Sequence, residues 1–181
     1  MVGVRHKAVF LDRDGVINRA IIRDGKPYAP RELSEFEVLP DVERACEALV
    51  GAGFLLFVVT NQPDIGNGLV SVDIVEKMHQ KLLTLLPITK IYTCPHKQGD
   101  GCECRKPKSG MLLAAQQEFL LDMAESFMIG DRYSDICAGI TAGCKSVFID
   151  NHYFETPDFY VTMRTQKLWQ ASACILERQL L

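Results

Sequence analysis

Two aspartates, Asp12 and Asp14, follow a short apolar run, Ala8–Leu11, and are separated by one residue. The run is too short for a helix and predicts a buried strand. Side chains two positions apart leave the same face of an extended chain, so both carboxylates are expected on one face at the strand's carboxyl end. Neighbouring carboxylates repel each other, and Mg²⁺ is a hard cation that binds one or two protein carboxylates. The pattern predicts a magnesium site, with a solvated turn as the alternative.

A second group of chemically active side chains lies close together in the sequence. Three of the seven cysteines, Cys94, Cys102 and Cys104, stand within a short segment with His96. Three thiolates and one imidazole form the ligand set of a closed structural Zn²⁺ site. We therefore expect a zinc knuckle here. Free thiols are the alternative, and disulfides are disfavoured in the reducing compartment that the sequence suggests.

Alternating strands and helices are expected to position these residues. Apolar runs predict strands at residues 8–11, 54–59, 88–93, 126–129 and 145–149. Helical spacing predicts helices from Asp41 to Gly51 or Gly53, from Ser71 or Asp73 to about Leu86, after Ser109, at 134–142 and near 165–179. This alternation indicates a doubly wound, Rossmann-like α/β fold with a mostly parallel sheet and helices on both faces.

The segment 18–40 interrupts this alternation. It is polar, contains three prolines and carries Asp24-Gly25, a hairpin turn signal. We expect a small flap over the aspartate pair. No other stretch is long enough for a separate cap domain, so one domain over residues 1–181 is predicted.

Polar residues follow three of the predicted strands, and a basic pair follows the cysteine segment. They are Asp12, Asp14, Thr60 and Asp131, with the pair Arg105 and Lys106. Parallel strands end at one edge of the sheet, where open α/β sheets bind ligands. The chemistry that fits is phosphoryl transfer to Asp12, with Asp14 exchanging protons with the leaving oxygen and the incoming water. Thr60 and Lys106 would hold the phosphoryl oxygens.

Composition narrows the class of protein. The 181 residues carry a formal net charge of −3 and contain no basic run, which argues against a nucleic-acid partner. No signal peptide and no apolar stretch long enough to span a bilayer is found, so a soluble cytoplasmic protein without a membrane partner is expected. A monomer is expected as well.

The ordered motifs resemble the haloacid-dehalogenase-like phosphatases. The matching residues, between positions 8 and 149, are Asp12-x-Asp14-Gly15, Thr60, Lys106, and Gly130-Asp131 with Asp135. The resemblance implies that Asp12, Asp14 and Asp131 bind Mg²⁺ together with the backbone carbonyl of Arg13. It implies that Asp12 is the nucleophile, that Asp14 is the acid and base, and that Asp135 lies outside the ligands.

The cysteine segment, with Thr60-Asn61-Gln62, is similar to the group of heptose-bisphosphate and histidinol-phosphate phosphatases. The expected partner is a small phosphorylated sugar. The expected reaction removes the 7-phosphate of D-glycero-D-manno-heptose 1,7-bisphosphate in lipopolysaccharide biosynthesis. Substrate-binding roles are expected for Arg13, Asn61, Gln62, Arg105 and Arg132.

Two departures from the heptose pattern are visible. The loop between His96 and Cys102 is short, and the segment 63–68 lacks an arginine before its last glycine. Three alternatives therefore stay open: a histidinol-phosphate phosphatase, a non-catalytic zinc-knuckle binding module and a receiver-like phospho-aspartate switch.

Overall fold

The strand that precedes Asp12 lies inside a six-stranded parallel sheet. The computed structural model of the chain describes residues 5–153 and 161–177. From one edge to the other the strands are β5 (Lys90–Cys94), β4 (Leu55–Asn61), β1 (Ala8–Leu11), β6 (Phe127–Gly130), β7 (Lys145–Ile149) and β8 (Met163–Thr165). In register, Phe10 of β1 lies beside Phe57 of β4 and Met128 of β6. The predicted parallel sheet is confirmed.

Helices cover both faces of the sheet. On one face lie α1 (Val42–Gly51), α3 (Val72–Leu85) and α6 (Leu168–Glu177), and on the other α4 (Gly110–Phe119) and α5 (Tyr133–Ala142). The short helix α2 (Pro63–Gly66) follows β4. Val9 and Leu11 of β1 enter one core, whereas Ala8 and Phe10 enter the other. All four are fully buried, as expected for a strand covered on both sides.

The flap is a hairpin of two three-residue strands, β2 (Ile21–Arg23) and β3 (Lys26–Tyr28). Asp24 and Gly25 connect them with φ values of 48° and 71°. Two consecutive positive φ angles are the signature of the two-residue turn that suits the twist of a hairpin. The rest of the segment is held by backbone hydrogen bonds from Arg19 N to Glu37 O and from Leu39 N to Ile17 O.

Local structure differs from prediction at several places. Ser71 caps α3 as expected, accepting a hydrogen bond from Ile74 N. Asp41 does not cap α1 through its side chain, because its φ of 63° places it in the left-handed region. Strand β8 was not predicted, since three half-exposed residues at a sheet edge give no apolar pattern. The predicted helix at 165–179 is observed from Leu168 to Glu177, and its last residues lie outside the described range.

Two insertions separate the sheet elements in the described ranges: the flap and the cysteine segment. No helix in the part of the chain that the structure describes has the length and hydrophobicity needed to cross a bilayer.

Candidate active site

The polar residues predicted at the strand ends do converge. Strand β1 lies between β4 and β6. After β1 the chain adds β4 and β5 on one side and then β6, β7 and β8 on the other. Such a switch in strand order creates a crevice at the carboxyl edge of the sheet. A cavity of about 290 Å³ opens there, and the predicted site residues on its wall are Asp12, Asp14, Asn61, Arg105, Lys106, Asp131, Arg132 and Asp135.

Lys106 is the central cation of this crevice. Its Nζ donates to Asp12 Oδ1 at 2.6 Å and to the backbone carbonyl of Val59 at 2.7 Å. It also lies 2.6 Å from Asp135 Oδ1. Burial works to lower the pKa of Lys106, but Asp12 and Asp135 together hold it above its ordinary value. One lysine thus links two buried carboxylates and points at the candidate nucleophile.

Three carboxylates crowd around this lysine. Oxygen atoms of Asp12, Asp131 and Asp135 all lie within 4.8 Å of one another. Burial raises the pKa of Asp12 to about 7; Lys106 opposes the shift and the neighbouring carboxylates add to it. Burial, with Asp12 and Asp135, also raises the pKa of Asp131 well above its usual value. The three carboxylates therefore disfavour one another's ionised forms, and a cation bound among them would relieve this.

Asp131 offers the strongest indication that this cluster binds a cation. Among the described residues its buried Oδ1 has no hydrogen-bond partner, while Oδ2 accepts from Asn151 Nδ2 at 3.1 Å. An unsatisfied buried carboxylate oxygen costs free energy unless something binds it. Oxygen donors from Asp12, Asp131 and Asp135 are what a hard divalent cation prefers. These residues fit Mg²⁺.

Asp14 is placed differently from the prediction. Its carboxylate is not part of the three-residue cluster; it accepts from Arg13 Nη2 at 2.9 Å, Asn18 Nδ2 at 3.0 Å and Gln62 Nε2 at 2.7 Å. The prediction assumed that the strand continues through Asp14. Instead the chain turns, since Gly15 has a φ of +94°, and strand alternation no longer applies.

The same turn removes two further roles predicted for Arg13. Its carbonyl oxygen accepts from the backbone of Ile17 at 2.9 Å and of Asn18 at 3.1 Å, so it points into the turn and not toward the carboxylate cluster. Its side chain is fully buried and does not line the cavity. A substrate-binding guanidinium does not fit this placement.

The Arg13 guanidinium instead links Asp14 to His79. Nη1 lies 3.2 Å from His79 Nε2, on helix α3. Burial, and then Arg13, lower the pKa of His79 to about 4, so the imidazole is neutral near pH 7 and accepts from the guanidinium. His79 escaped prediction because its position on the apolar face of α3 resembles that of an ordinary core residue.

The three polar residues at the end of β4 form hydrogen bonds to other site residues or to one another. Asn61 lines the cavity, but its amide also bonds the backbone of Lys106 twice, at 3.0 and 3.1 Å. Gln62 donates to Asp14 and, at 2.8 Å, to Thr60 Oγ1. Thr60 and Gln62 are fully buried and are not on the cavity wall. Thr60 Oγ1 is thus held by Gln62, and its contact with a phosphoryl group stays a prediction.

Two predicted arginines lie on the cavity wall, and the predicted Asp135 joins the carboxylate cluster. Arg105 and Arg132 line the cavity, and Arg105 Nη1 donates to the backbone carbonyl of His96 at 3.4 Å. Asp135 was expected outside the metal ligands, but the structure brings it into the carboxylate cluster. Its other oxygen accepts from Arg132 N at 3.0 Å and so fixes the start of α5.

The cysteine segment forms a separate, compact cluster. Cys94 Sγ and Cys104 Sγ each lie 3.6 Å from Cys102 Sγ. His96 Nδ1 lies 3.6 Å from Cys94 Sγ and 3.2 Å from Cys104 Sγ. A tetrahedral zinc with bonds of about 2.3 Å to sulfur requires donor separations of roughly 3.5–3.8 Å. The four side chains fit Zn²⁺ with no position left for substrate.

Asn151 is a site residue that the sequence reasoning missed. Its Nδ2 lies within hydrogen-bond distance of Gly15 O, Asp131 Oδ2 and Tyr153 Oη, at 2.9, 3.1 and 3.2 Å. It therefore holds the turn after Asp14 against the Asp131 carboxylate. The signal was present, because Asn151 follows β7 at the same edge of the sheet as the other strand-end residues.

Comparison with known proteins gives consistent matches. A family model described as HAD-hydrolase-like matches residues 103–159. The chain is 38% identical over 169 residues to the D-glycero-alpha-D-manno-heptose-1,7-bisphosphate 7-phosphatase of Campylobacter jejuni, covering 91% of this chain and 94% of that protein. It is 40% identical over 151 residues to the D-glycero-beta-D-manno-heptose-1,7-bisphosphate 7-phosphatase of Haemophilus influenzae, covering 77% and 79%.

A solved structure shares the fold over nearly the whole chain. The D,D-heptose 1,7-bisphosphate phosphatase of B. bronchiseptica, complexed with magnesium and phosphate, superposes with a TM-score of 0.80 at 26% identity. The match covers 95% of this chain and 99% of that one.

Proposed function

The chain belongs to the heptose-bisphosphate phosphatase family of haloacid-dehalogenase-like hydrolases, and from that membership we propose that it removes the 7-phosphate of a D-glycero-D-manno-heptose 1,7-bisphosphate. It is a phosphatase. The observation that carries the proposed mechanism is the direct contact between Lys106 Nζ and Asp12 Oδ1 at the floor of the cavity.

Asp12 is the proposed nucleophile. One of its oxygens is held by Lys106 at 2.6 Å, so the other is left to attack phosphorus in line with the leaving oxygen. The O–P bond to the sugar breaks as the bond to Asp12 forms, giving an aspartyl-phosphate. Lys106 lies where it can contact both the nucleophile and the transferring group.

Asp14 is the proposed acid and base. It lines the cavity, and Arg13, Asn18 and Gln62 fix its carboxylate. It gives a proton to the leaving sugar oxygen and later takes one from the water that attacks the aspartyl-phosphate, which restores Asp12 and releases phosphate. The Arg13–His79 link beneath it limits the rotation of this carboxylate.

Mg²⁺ belongs to this proposal. Asp12, Asp131 and Asp135 are the residues that would hold it, supported by the unpartnered Asp131 Oδ1. Bound there, Mg²⁺ would offset the negative charge of the transferring phosphoryl group. A cation would also favour the ionised, nucleophilic form of Asp12, whose pKa burial raises to about 7.

Zn²⁺ is proposed as a structural ion held by Cys94, His96, Cys102 and Cys104. The ion would fix the segment that leads into Arg105 and Lys106. Arg105 donates to the carbonyl of His96, one of the four proposed ligands, so the shape of the knuckle directly sets the position of this guanidinium.

The substrate proposal rests on the relatives. These relatives include one enzyme named for the alpha anomer and one named for the beta anomer of D-glycero-D-manno-heptose 1,7-bisphosphate. We propose in addition that the protein acts in lipopolysaccharide sugar metabolism in the cytoplasm. It would be a monomer with one domain over residues 1–181. A Cys/His cluster that could hold a metal is more typical of a reducing compartment than of a secreted protein.

A substrate panel tests this proposal. Purified enzyme with Mg²⁺ is given both anomers of the heptose bisphosphate, histidinol phosphate and a generic aryl phosphate, and ³¹P spectra follow each reaction. We expect the 7-phosphate resonance to disappear while the anomeric phosphate persists, with the highest kcat/KM for a heptose bisphosphate. Faster hydrolysis of histidinol phosphate would overturn the substrate, and absence of phosphate release from every ester would overturn the catalytic proposal.

A further inference from the structure

We infer that the flap supplies an anion subsite at the outer part of the cavity, with Lys26 as its cation, and that this subsite binds the substrate's second phosphate. The inference rests on the proposed bisphosphate substrate. It assigns a binding role to the hairpin, which the sequence predicted only as a cover.

The cavity reaches from the carboxylate cluster to the flap. The residues Lys26, Pro27, Tyr28 and Ala29 of the flap line the same cavity as Asp12. A phosphoryl group at Asp12 therefore leaves the rest of the substrate beside β3. Both ends of a bisphosphate carry negative charge, so the outer wall needs a cation that is not already neutralised.

The two cations that contact the catalytic carboxylates are neutralised by them. Lys106 contacts Asp12 and Asp135. Arg13 pairs with Asp14. These groups can stabilise charge in the reacting centre but are held by their own partners.

Lys26 differs from them. Among the described residues it has no hydrogen-bond partner and no ion-pair partner, and Arg105 on the cavity wall contacts only a backbone carbonyl. The nearby acid Asp64 is engaged by Arg31 at 2.7 Å, and Asp24 stands in the exposed turn next to Arg23. A bound phosphate would therefore supply the counter-charge that Lys26 lacks.

The hairpin fixes the backbone position of Lys26, whose side chain is exposed. Arg23 is the cross-strand partner of Lys26, and Ile21 is the partner of Tyr28, so Arg23, Lys26 and Tyr28 share one face. The guanidinium of Arg23 lies 5.7 Å from the centre of the Tyr28 ring. The ion pair between Arg31 and Asp64 joins the end of the flap to α2, beside the site. A flap tied at this point costs less entropy to close on a ligand.

The test compares two charge removals on the same hairpin. Lys26→Gln and Arg23→Gln each remove one positive charge, but Lys26 lines the cavity and Arg23 does not. Steady-state kinetics are measured for heptose 1,7-bisphosphate and for heptose 7-phosphate, which lacks the second phosphate. The readout is the ratio of kcat/KM for the two substrates.

We expect Lys26→Gln to lower this ratio about tenfold, mainly through KM, because one charge-assisted hydrogen bond is lost. Arg23→Gln should keep the wild-type ratio within about twofold, because the half-buried Arg23 does not line the cavity. Lys26→Arg should restore most of the preference, and unchanged circular dichroism would show that each variant is folded.

Three results would overturn the inference. An unchanged ratio in Lys26→Gln, with a clear wild-type preference for the bisphosphate, would mean that Lys26 does not contact the second phosphate. Equal losses in both glutamine variants would mean that the flap acts only through its general positive charge. A wild-type enzyme with no preference for the second phosphate would overturn the proposed substrate and the subsite together.

Discussion

The protein carries two clusters of side chains that could hold a metal ion, and they are built in opposite ways. In the carboxylate cluster, Asp12, Asp131 and Asp135 line the substrate cavity around a buried lysine. In the cysteine cluster, four donors come from residues 94–104 and surround one another without lining the cavity. Both bring their donor atoms within 4.8 Å. The two clusters differ in whether their side chains leave a position for a further ligand such as substrate.

The carboxylate cluster is left electrostatically incomplete. Three carboxylates crowd together, Asp131 Oδ1 has no hydrogen-bond partner in the described part of the chain, and the pKa of Asp12 is raised to about 7, chiefly by burial. Such an arrangement destabilises the fold but is ready to bind a cation and a phosphoryl group. The cysteine cluster offers four ligands, so the proposed zinc would have no open position and would serve the fold. In this proposal the catalytic and structural roles are separated in space, and the Arg105–Lys106 pair connects them.

Removing the proposed nucleophile should have the largest effect on activity and tests the catalytic role of the carboxylate cluster. Asp12→Asn should lower kcat at least ~10³-fold, because an amide cannot form the aspartyl-phosphate, which corresponds to about 4 kcal/mol of barrier. The protein should stay folded, since one of three crowded negative charges is lost. Phosphate-release kinetics and thermal unfolding measure both effects, with Asp73→Asn on the exposed start of α3 as the control. A variant that keeps a tenth of wild-type activity would exclude Asp12 as nucleophile.

Breaking the cysteine cluster should act on stability first. Cys102→Ser should lose zinc and about 3 kcal/mol of unfolding free energy, which lowers Tm by roughly 6–12 °C in a chain of this size. Activity should fall too, as Arg105 and Lys106 shift. Metal analysis and thermal unfolding check this, and Cys137→Ser, outside the cluster, is the matched control. Wild-type protein without zinc, purified under reducing conditions, would contradict the structural role.

The pH dependence of stability should distinguish the open cluster from the closed one. The folded-state pKa of Asp12 lies near 7, above its ordinary value of 3.8, so the folded protein binds the extra proton. Without Mg²⁺, stability should therefore fall as pH rises from about 4 through about 7, by on the order of a few kcal/mol. Unfolding curves in a chelator against pH measure this. Mg²⁺ or Asp131→Asn should flatten the dependence, and a metal-free protein that gains stability over this range would contradict the raised pKa.

A smaller effect should come from the residue that positions Asp131. Asn151→Ala removes the donor that contacts both Asp131 Oδ2 and Gly15 O, so the affinity for Mg²⁺ should fall about tenfold. The shift of Tm with Mg²⁺ concentration reports this affinity independently of turnover. Asn67→Ala, at the exposed end of α2, should leave it unchanged. An unaltered Mg²⁺ dependence in Asn151→Ala would restrict Asn151 to a structural role.

The two clusters also differ in how well sequence predicts them. The cysteine cluster was predicted in full because its four residues are close in the chain and each has one donor atom. The parallel sheet, with Asp12, Lys106 and Asp131 at one edge, followed from strand ends alone. Both predictions require only the order of strands and helices along the chain and the residues at their ends.

The failures arose where side-chain direction depends on a local turn. Asp14 was assigned to the metal on the assumption of an extended chain, and the Arg13 carbonyl by the family resemblance, whereas the turn at Gly15 directs both elsewhere. Asp135 entered the cluster because Lys106 draws it toward Asp12, a contact between residues 29 positions apart that no sequence pattern encodes. His79 and Asn151 required the packed structure.

The central claim, that Asp12 receives the phosphoryl group, is tested most directly by trapping it. Asp14→Asn should slow the attack of water, and an aryl phosphate, whose leaving group needs no acid, should still phosphorylate the enzyme. After acid quench, mass spectrometry of the digested protein should find one added phosphoryl group on the peptide that contains Asp12, and none in Asp12→Asn/Asp14→Asn. A phosphoryl group on another residue, or a persistent signal in the double variant, would contradict the mechanism.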